Sequence, residues 1–312
     1  MRNFFLTANI VLPVFLVMAA GWFCRRIGMM NDKTTSQLNN LVFRVFLPMS
    51  LCKSLMSVEP GAMASPKALL VAFCGIVGGF FAGLALVPRM ESENPRRGVV
   101  IQSFFRSNYA IFGIPVCEAL FPNGDGGVAA MMVIATVPVF NALAVVALEL
   151  YRGGKMSPKK TLIGIAKNPL ILGCAAGILL MLLPFDLPEF AVSTIGKLAA
   201  ASSPLALFVL GASINLQSIK GNLRSLAFAS GVRLVAVPLV MLPIAYALGL
   251  RGAEFATLMI VFGSPCAVSS YTMAAQMDGD AELAAQAVML TTVLSSVTIF
   301  AMIFMFKQFG IF

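Results

Sequence analysis

Apolar stretches long enough to cross a lipid bilayer follow one another through almost the whole chain and leave little room for anything else. A spanning helix needs about 20 mostly apolar residues. On that measure ten spans are expected, at 4–24, 37–56, 67–87, 99–120, 128–150, 168–184, 190–212, 226–248, 254–277 and 283–306. The fold class is therefore an all-α polytopic membrane protein. Hydrophobic residues make up 59% of the chain against 11% charged, and the longest connection, 151–167, is too short for a catalytic or nucleotide-binding module. The first span reads as a retained helix rather than a signal peptide, because its apolar run is too long and Arg25 and Arg26 flank it like a stop-transfer signal.

Charge sets the expected orientation. The net +9 is concentrated in the odd-numbered connections: Arg25, Arg26 and Lys33; Arg89, Arg96 and Arg97; Arg152, Lys155, Lys159, Lys160 and Lys167; Lys220 and Arg224. The opposite side holds only Arg2, Lys67, Arg251 and Lys307. Loops rich in Lys and Arg stay cytoplasmic, so both termini are expected outside the cytoplasm in a multi-pass protein of the cell's inner (plasma) membrane. The basic surplus is a matter of topology and lipid contact; no nucleic-acid partner is implied. The six cysteines lie in or at apolar segments without a CxxC or metal spacing, so they read as small apolar fillers.

Two spans share an interruption: Phe112-Gly113-Ile114-Pro115 and Phe262-Gly263-Ser264-Pro265, 150 residues apart. Glycine and proline both weaken a helix, one by backbone entropy and one by a missing N–H and a clash. Other matches recur at an offset of 156: Pro13 with Pro169, Ala19-Ala20-Gly21 with Ala175-Ala176-Gly177, and Pro48 with Pro204. Together they predict two five-helix units, 1–155 and 156–312. An odd span count per unit makes the second enter the membrane inverted, the 5+5 repeat of many secondary transporters, whose broken helices form the substrate site.

Ionisable residues within spans are costly and functional by default. Arg106, Arg44, Lys53, Lys197 and Arg233 fall in spans, a bias towards cations. Arg106-Ser107-Asn108-Tyr109 precedes the break at Gly113 and Pro115, and a cation beside orphan helix N–H groups suits a carboxylate. On the partner helix Ser264, Ser269, Ser270, Tyr271 and Gln276 surround Gly263 and Pro265. Arg44, Lys53, Lys197 and Arg233 read as snorkelling or inter-helix contacts. Asn39, Asn40 and Asn215 are secondary polar candidates. Gly75, Gly79 and Gly83 form a small-residue ladder for close helix packing.

The runs at 38–50 (LNNLVFRVFLPMS), 102–121 (QSFFRSNYAIFGIPVCEALF) and 203–214 (SPLALFVLGASI), with Asn168-Pro169-Leu170 and the last two spans, resemble the auxin efflux carrier superfamily. That family includes plant PIN-type carriers and bacterial malate and malonate permeases. The resemblance implies ten helices in a 5+5 inverted repeat, with spans 4 and 9 broken and crossing. It also implies a scaffold from spans 1, 2, 6 and 7, a mobile unit from spans 3–5 and 8–10, an elevator-like movement, and a homodimer. The long central loop of the plant carriers is absent here, which places this chain with the bacterial members.

The expected function is a secondary transporter of a small organic anion, a mono- or dicarboxylate such as malate or malonate. Arg106 and Asn108 would orient the carboxylate, and backbone N–H groups at 113–116 and 263–266 would bind it. Ser269, Ser270 and Tyr271 would complete the pocket. No cofactor or metal is expected. With no histidine and few acidic residues at span centres, proton relay is poorly supplied; Na+ coupling through unwound carbonyls, uniport and anion exchange are the alternatives. An intramembrane enzyme lacks a Ser-His pair. A transporter-like sensor or a channel would share the same polar crossing, although no ring of like charges marks a pore.

Overall fold

A computed structural model describes residues 2–56, 65–121, 126–152, 158–182, 187–214 and 219–311. The helices are α1 (Arg2–Arg26), α2 (Asp32–Leu41), α3 (Leu47–Met56), α4 (Pro66–Met90), α5 (Asn94–Phe105), α6 (Tyr109–Leu120), α7 (Gly126–Leu150) and α8 (Pro158–Ala166). They continue as α9 (Pro169–Leu182), α10 (Glu189–Ser213), α11 (Ile219–Gly231), α12 (Val237–Ala247), α13 (Gly252–Gly263), α14 (Ser269–Gln276) and α15 (Ala281–Gln308). Single π-helical turns, Val42–Phe46 and Val232–Ala236, join α2 to α3 and α11 to α12 without interrupting the rod. Among the described residues there is no strand, only one isolated antiparallel bridge.

Each expected span coincides with a helix or a helix pair. Among the described residues, five helical segments are long and apolar enough to cross a membrane by themselves: Pro66–Met90, Met131–Leu150, Glu189–Ser213, Ile219–Ala247 and Ala281–Gln308. Local chemistry sets several ends. Ser65 accepts from the Ala68 N–H to cap α4, with Pro66 in the first turn where its missing N–H costs nothing. Asp280 caps α15 through the Leu283 N–H at 2.8 Å. Pro13, Pro88, Pro138 and Pro204 all lie inside helices, as membrane helices tolerate when neighbours satisfy the freed carbonyls.

Packing sorts the helices into two neighbourhoods. In one, α1 lies along α10, and α3 lies along α9 and α10. In the other, α4, α5 and α7 pack together, as do α12 with α13 and α14 with α15. Glycines let backbones touch where they must. A Cβ on Gly79 would come within 2.7 Å of the Phe104 carbonyl oxygen, so the α4 ladder seats α4 on the end of α5.

At one end of this second group a polar cluster fastens the connections. Arg96 reaches Glu91 at 3.1 Å, Asn222 at 3.0 Å, Ser225 at 2.9 Å and Asp280 at 3.8 Å. Arg152, just past α7, binds Asp278 at 2.7 Å and Glu149 at 2.9 Å. The Asp278 hydrogen bond, opposed by partial burial, holds its guanidinium above the ordinary arginine range.

Candidate functional site at the crossing of two broken helices

Two helical rods break in the middle of the protein. The first breaks at Arg106-Ser107-Asn108, between α5 and α6; the second breaks at 264–268, between α13 and α14. The breaks meet. Ser107 and Cys266 form the antiparallel bridge, and the Asn108 N–H donates to the Pro265 carbonyl at 2.8 Å.

The second break follows from local sequence. Ser264 precedes a proline, which disfavours helical geometry at that residue, and Ser264 is extended at φ −68° and ψ 155°. The first break corrects the sequence expectation. Gly113 and Pro115 lie inside α6, Pro115 is exposed, and the interruption falls one to two turns earlier. Arg106 is extended there at φ −87° and ψ 112°. The cause is tertiary, because its guanidinium is held by three elements. It donates to Gln102 at 2.7 Å, to Asn141 on α7 at 2.8 Å and to Ser269 on α14 at 2.7 Å.

The two Phe-Gly-x-Pro motifs are therefore not equivalent positions. Half-helices α5 and α13 each have 12 residues and start 158 residues apart, so Gly263 ends its half-helix while Gly113 lies within the next one. The N–H groups of 113–116 fall inside a helix rather than at a free terminus. At the other break the Ser264 N–H returns to Ile260, and the Cys266 N–H donates to Thr291 Oγ1 at 3.1 Å.

The remaining expected residues divide. Ser107, Asn108 and Ser270 are buried at the crossing, and Ser107 Oγ, Asn108 Nδ2 and Ser270 Oγ have no partner among the described residues. Ser264 is back-bonded to the Ile260 carbonyl at 2.6 Å. Tyr109 is turned away, its hydroxyl donating to the Ala129 carbonyl at 3.0 Å. Tyr271 bonds Ser213 on α10. Asn215 lies outside the described residues. Gln276 stands with Tyr271, Asn39, Ser213, Arg25 and Asp32 in the wall of a polar cavity of about 490 Å³, bounded by the ends of α1, α10 and α14 and the starts of α2 and α15. Between α5 and α15, beside Cys266 and Ser270, the interior leaves only about 10 Å³, room for one water.

Arginines dominate the electrostatics. Arg106 is 1% exposed and Arg233 is 0% exposed. Arg44 and Lys197, by contrast, are exposed on the protein's surface. Arg233 sits in the second π-helical turn and makes inter-helix contacts. Its Nε donates to the Ser264 carbonyl at 2.9 Å, and its Nη2 donates to the carbonyls of Val261, at 2.9 Å, and Phe262. It replaces partners that the end of α13 loses at the break. Among the described residues neither arginine meets a carboxylate. No side chain caps the N-terminus of α6 or of α14 either. Gln102 and Asn141 are partners the sequence reading missed; Gln102, one turn before Arg106, was findable from the i,i+4 spacing, and Asn141 had no such signal.

An apolar, all-helical chain with buried cations at a pair of crossing breaks defines a polytopic membrane protein organised around a polar centre. Its residues 7–303 match the family described as membrane transport protein, and the chain belongs to that family. This agrees with the resemblance to auxin efflux carriers. A relative from Methanothermobacter thermautotrophicus, named an uncharacterized transporter, is 25% identical over 93% of this chain and 95% of its own length. A Rhizobium meliloti protein named "Putative malonate transporter" is 24% identical over 96% of both chains. YfdV of Escherichia coli, also named an uncharacterized transporter, is 22% identical over 86% of this chain and 87% of its own. The protein is a membrane transporter and not an enzyme.

Proposed function

We propose that the protein is a secondary carrier of a small organic anion, a mono- or dicarboxylate such as malate or malonate, which binds at the crossing of the two breaks. One observation carries this reading: two fully buried guanidiniums stand at the crossing with no carboxylate partner among the described residues. A buried charge left without its counter-ion costs several kcal/mol, and an anionic substrate supplies one. The uncapped N-termini of α6 and α14 favour the same sign. The name of the Rhizobium relative supports a carboxylate.

In this reading ten spans form a 5+5 inverted repeat. The α1, α2–α3, α9 and α10 group is the scaffold, and the remaining spans carry the substrate in an elevator-like movement, in a homodimer. With the Lys/Arg-rich side cytoplasmic, the 490 Å³ cavity is a cytoplasmic vestibule, and both termini lie outside.

The test is uptake of labelled mono- and dicarboxylates by the purified protein in liposomes, with and without Na+ or a proton gradient, alongside Arg106→Ala. The expected result is saturable uptake of at least one acid, lost in the variant. Absence of uptake of every acid by folded protein would sink the assignment.

A further inference from the structure

The charge at the crossing can be counted. The carboxyl ends of α5 and α13 each present about half a negative charge, and the amino ends of α6 and α14 about half a positive charge each. These terms cancel. Two guanidiniums remain, and a monocarboxylate would leave one of them buried and uncompensated.

Arg233 has a donor to spare. A guanidinium carries five N–H groups in a planar fork. Nε and Nη2 face the end of α13 and take all three carbonyl contacts. Nη1 projects from a different edge of that plane, is fully buried and has no partner among the described residues. An unpaired charged donor in the protein interior is among the costlier defects a fold can keep. Asn108 Nδ2, another unpartnered buried donor, lies in the segment that pairs with Pro265. The two arginines bind opposite ends of one short segment: Arg233 holds Ser264 and Arg106 holds Ser269.

We propose that Arg233 is the second charge-reading residue of the site, and that with Arg106 it selects an anion bearing two carboxylates over one bearing a single carboxylate. This rests on the carrier reading above. It gives the π-helical turn a role as well, since the turn sets Arg233 against the end of α13. Arg106 takes the first carboxylate, and the spare Nη1 of Arg233 takes the second.

The experiment measures binding to purified wild-type protein by thermal shift and calorimetry, using malonate, its monoamide malonamate, and propionate. Malonate is expected to bind at least tenfold more tightly than either singly charged acid. In Arg233→Gln that ratio should fall to within about threefold, malonate losing more affinity than propionate; Arg106→Gln should lose all three. Equal weakening of malonate and propionate in Arg233→Gln would overturn the proposal and leave Arg233 as a brace for α13. If that variant does not fold, the wild-type comparison decides, because malonamate binding as tightly as malonate would overturn it too. Wild-type protein that binds propionate as tightly as malonate keeps the carrier reading and removes only the role of Arg233. Binding of none of the three removes both.

Discussion

Gly21 on α1 lies so close to Phe208 on α10 that a Cβ would collide with the Phe208 carbonyl oxygen. Gly177 on α9 stands in the same relation to Cys52 on α3, its added Cβ falling 2.8 Å from that carbonyl oxygen. Both residues of the second pair map onto the first at an offset of 156, which is the offset of the Ala-Ala-Gly triplets. One helix contact is made twice. The two halves of the chain therefore contribute complementary strips to this group of helices, each half's first span packing on the other half's second.

That contact predicts a stability effect. Gly21→Ala and Gly177→Ala force two backbones apart, and overpacking of this kind costs roughly 1–3 kcal/mol. Gly196→Ala and Gly221→Ala meet nothing within 4 Å, and each removes a helix-weakening glycine. Thermal unfolding in detergent should show lower midpoints for the first two and unchanged or higher midpoints for the controls. Equal midpoints in all four would refute the close approach.

The two prolines near the breaks should behave oppositely. Pro265 disfavours helical geometry at Ser264, so Pro265→Ala lets α13 run on and removes the carbonyl register that receives the Asn108 N–H. Pro115 is exposed inside α6, and Pro115→Ala restores a helix donor. Uptake should collapse in Pro265→Ala and persist in Pro115→Ala, whose unfolding midpoint should not fall. Loss of uptake in both would return the functional break to Gly113.

Pro265 also marks what the sequence could reveal. A residue before proline announces an extended backbone by local sterics alone, so the second break was legible to the residue. Arg106 carries no such rule. Its break is held by Gln102, Asn141 and Ser269, brought together from three helices, and a reading confined to neighbouring residues placed it at the more conspicuous Gly113 and Pro115 instead. The helices themselves were legible because apolar length is a local property. Arg233 was recognisable as a span cation, but its carbonyl partners on α13 lie 28 to 31 residues away, beyond any helical spacing.

The crossing can be trapped covalently. Residues opposed in an antiparallel bridge have Cα atoms about 4.5–5.5 Å apart, inside the range a disulfide spans. Ser107→Cys, in a background where Cys266 is the only other cysteine, should oxidise to an intramolecular bridge. With a protease site inserted between residues 152 and 158, the cut halves would then migrate together without reductant and apart with it. Halves that separate in both cases would refute the pairing of Ser107 with Cys266.

Among the described residues, three polar contacts pass from the α1–α3, α9 and α10 group to the helices of the crossing, and all three end on α14 or the residue after it. Ser213 bonds the Tyr271 hydroxyl, Asn39 Nδ2 donates to the Thr272 carbonyl at 3.4 Å, and Asn168 Nδ2 approaches Met277 Sδ at 3.6 Å. Helix α14 also carries Ser269, which Arg106 holds, so any sliding of the crossing must first release these contacts. A net hydrogen bond is worth about 1 kcal/mol, roughly a fivefold change in a two-state population. Tyr271→Phe with Ser213→Ala should shift the population away from the open vestibule by about that factor. Ser36→Cys in the vestibule wall, exposed here, reports it in a protein otherwise free of cysteine, through slower labelling by a membrane-impermeant maleimide applied from the Lys/Arg-rich side. Unchanged labelling would mean that apolar packing, and not α14, sets the resting state.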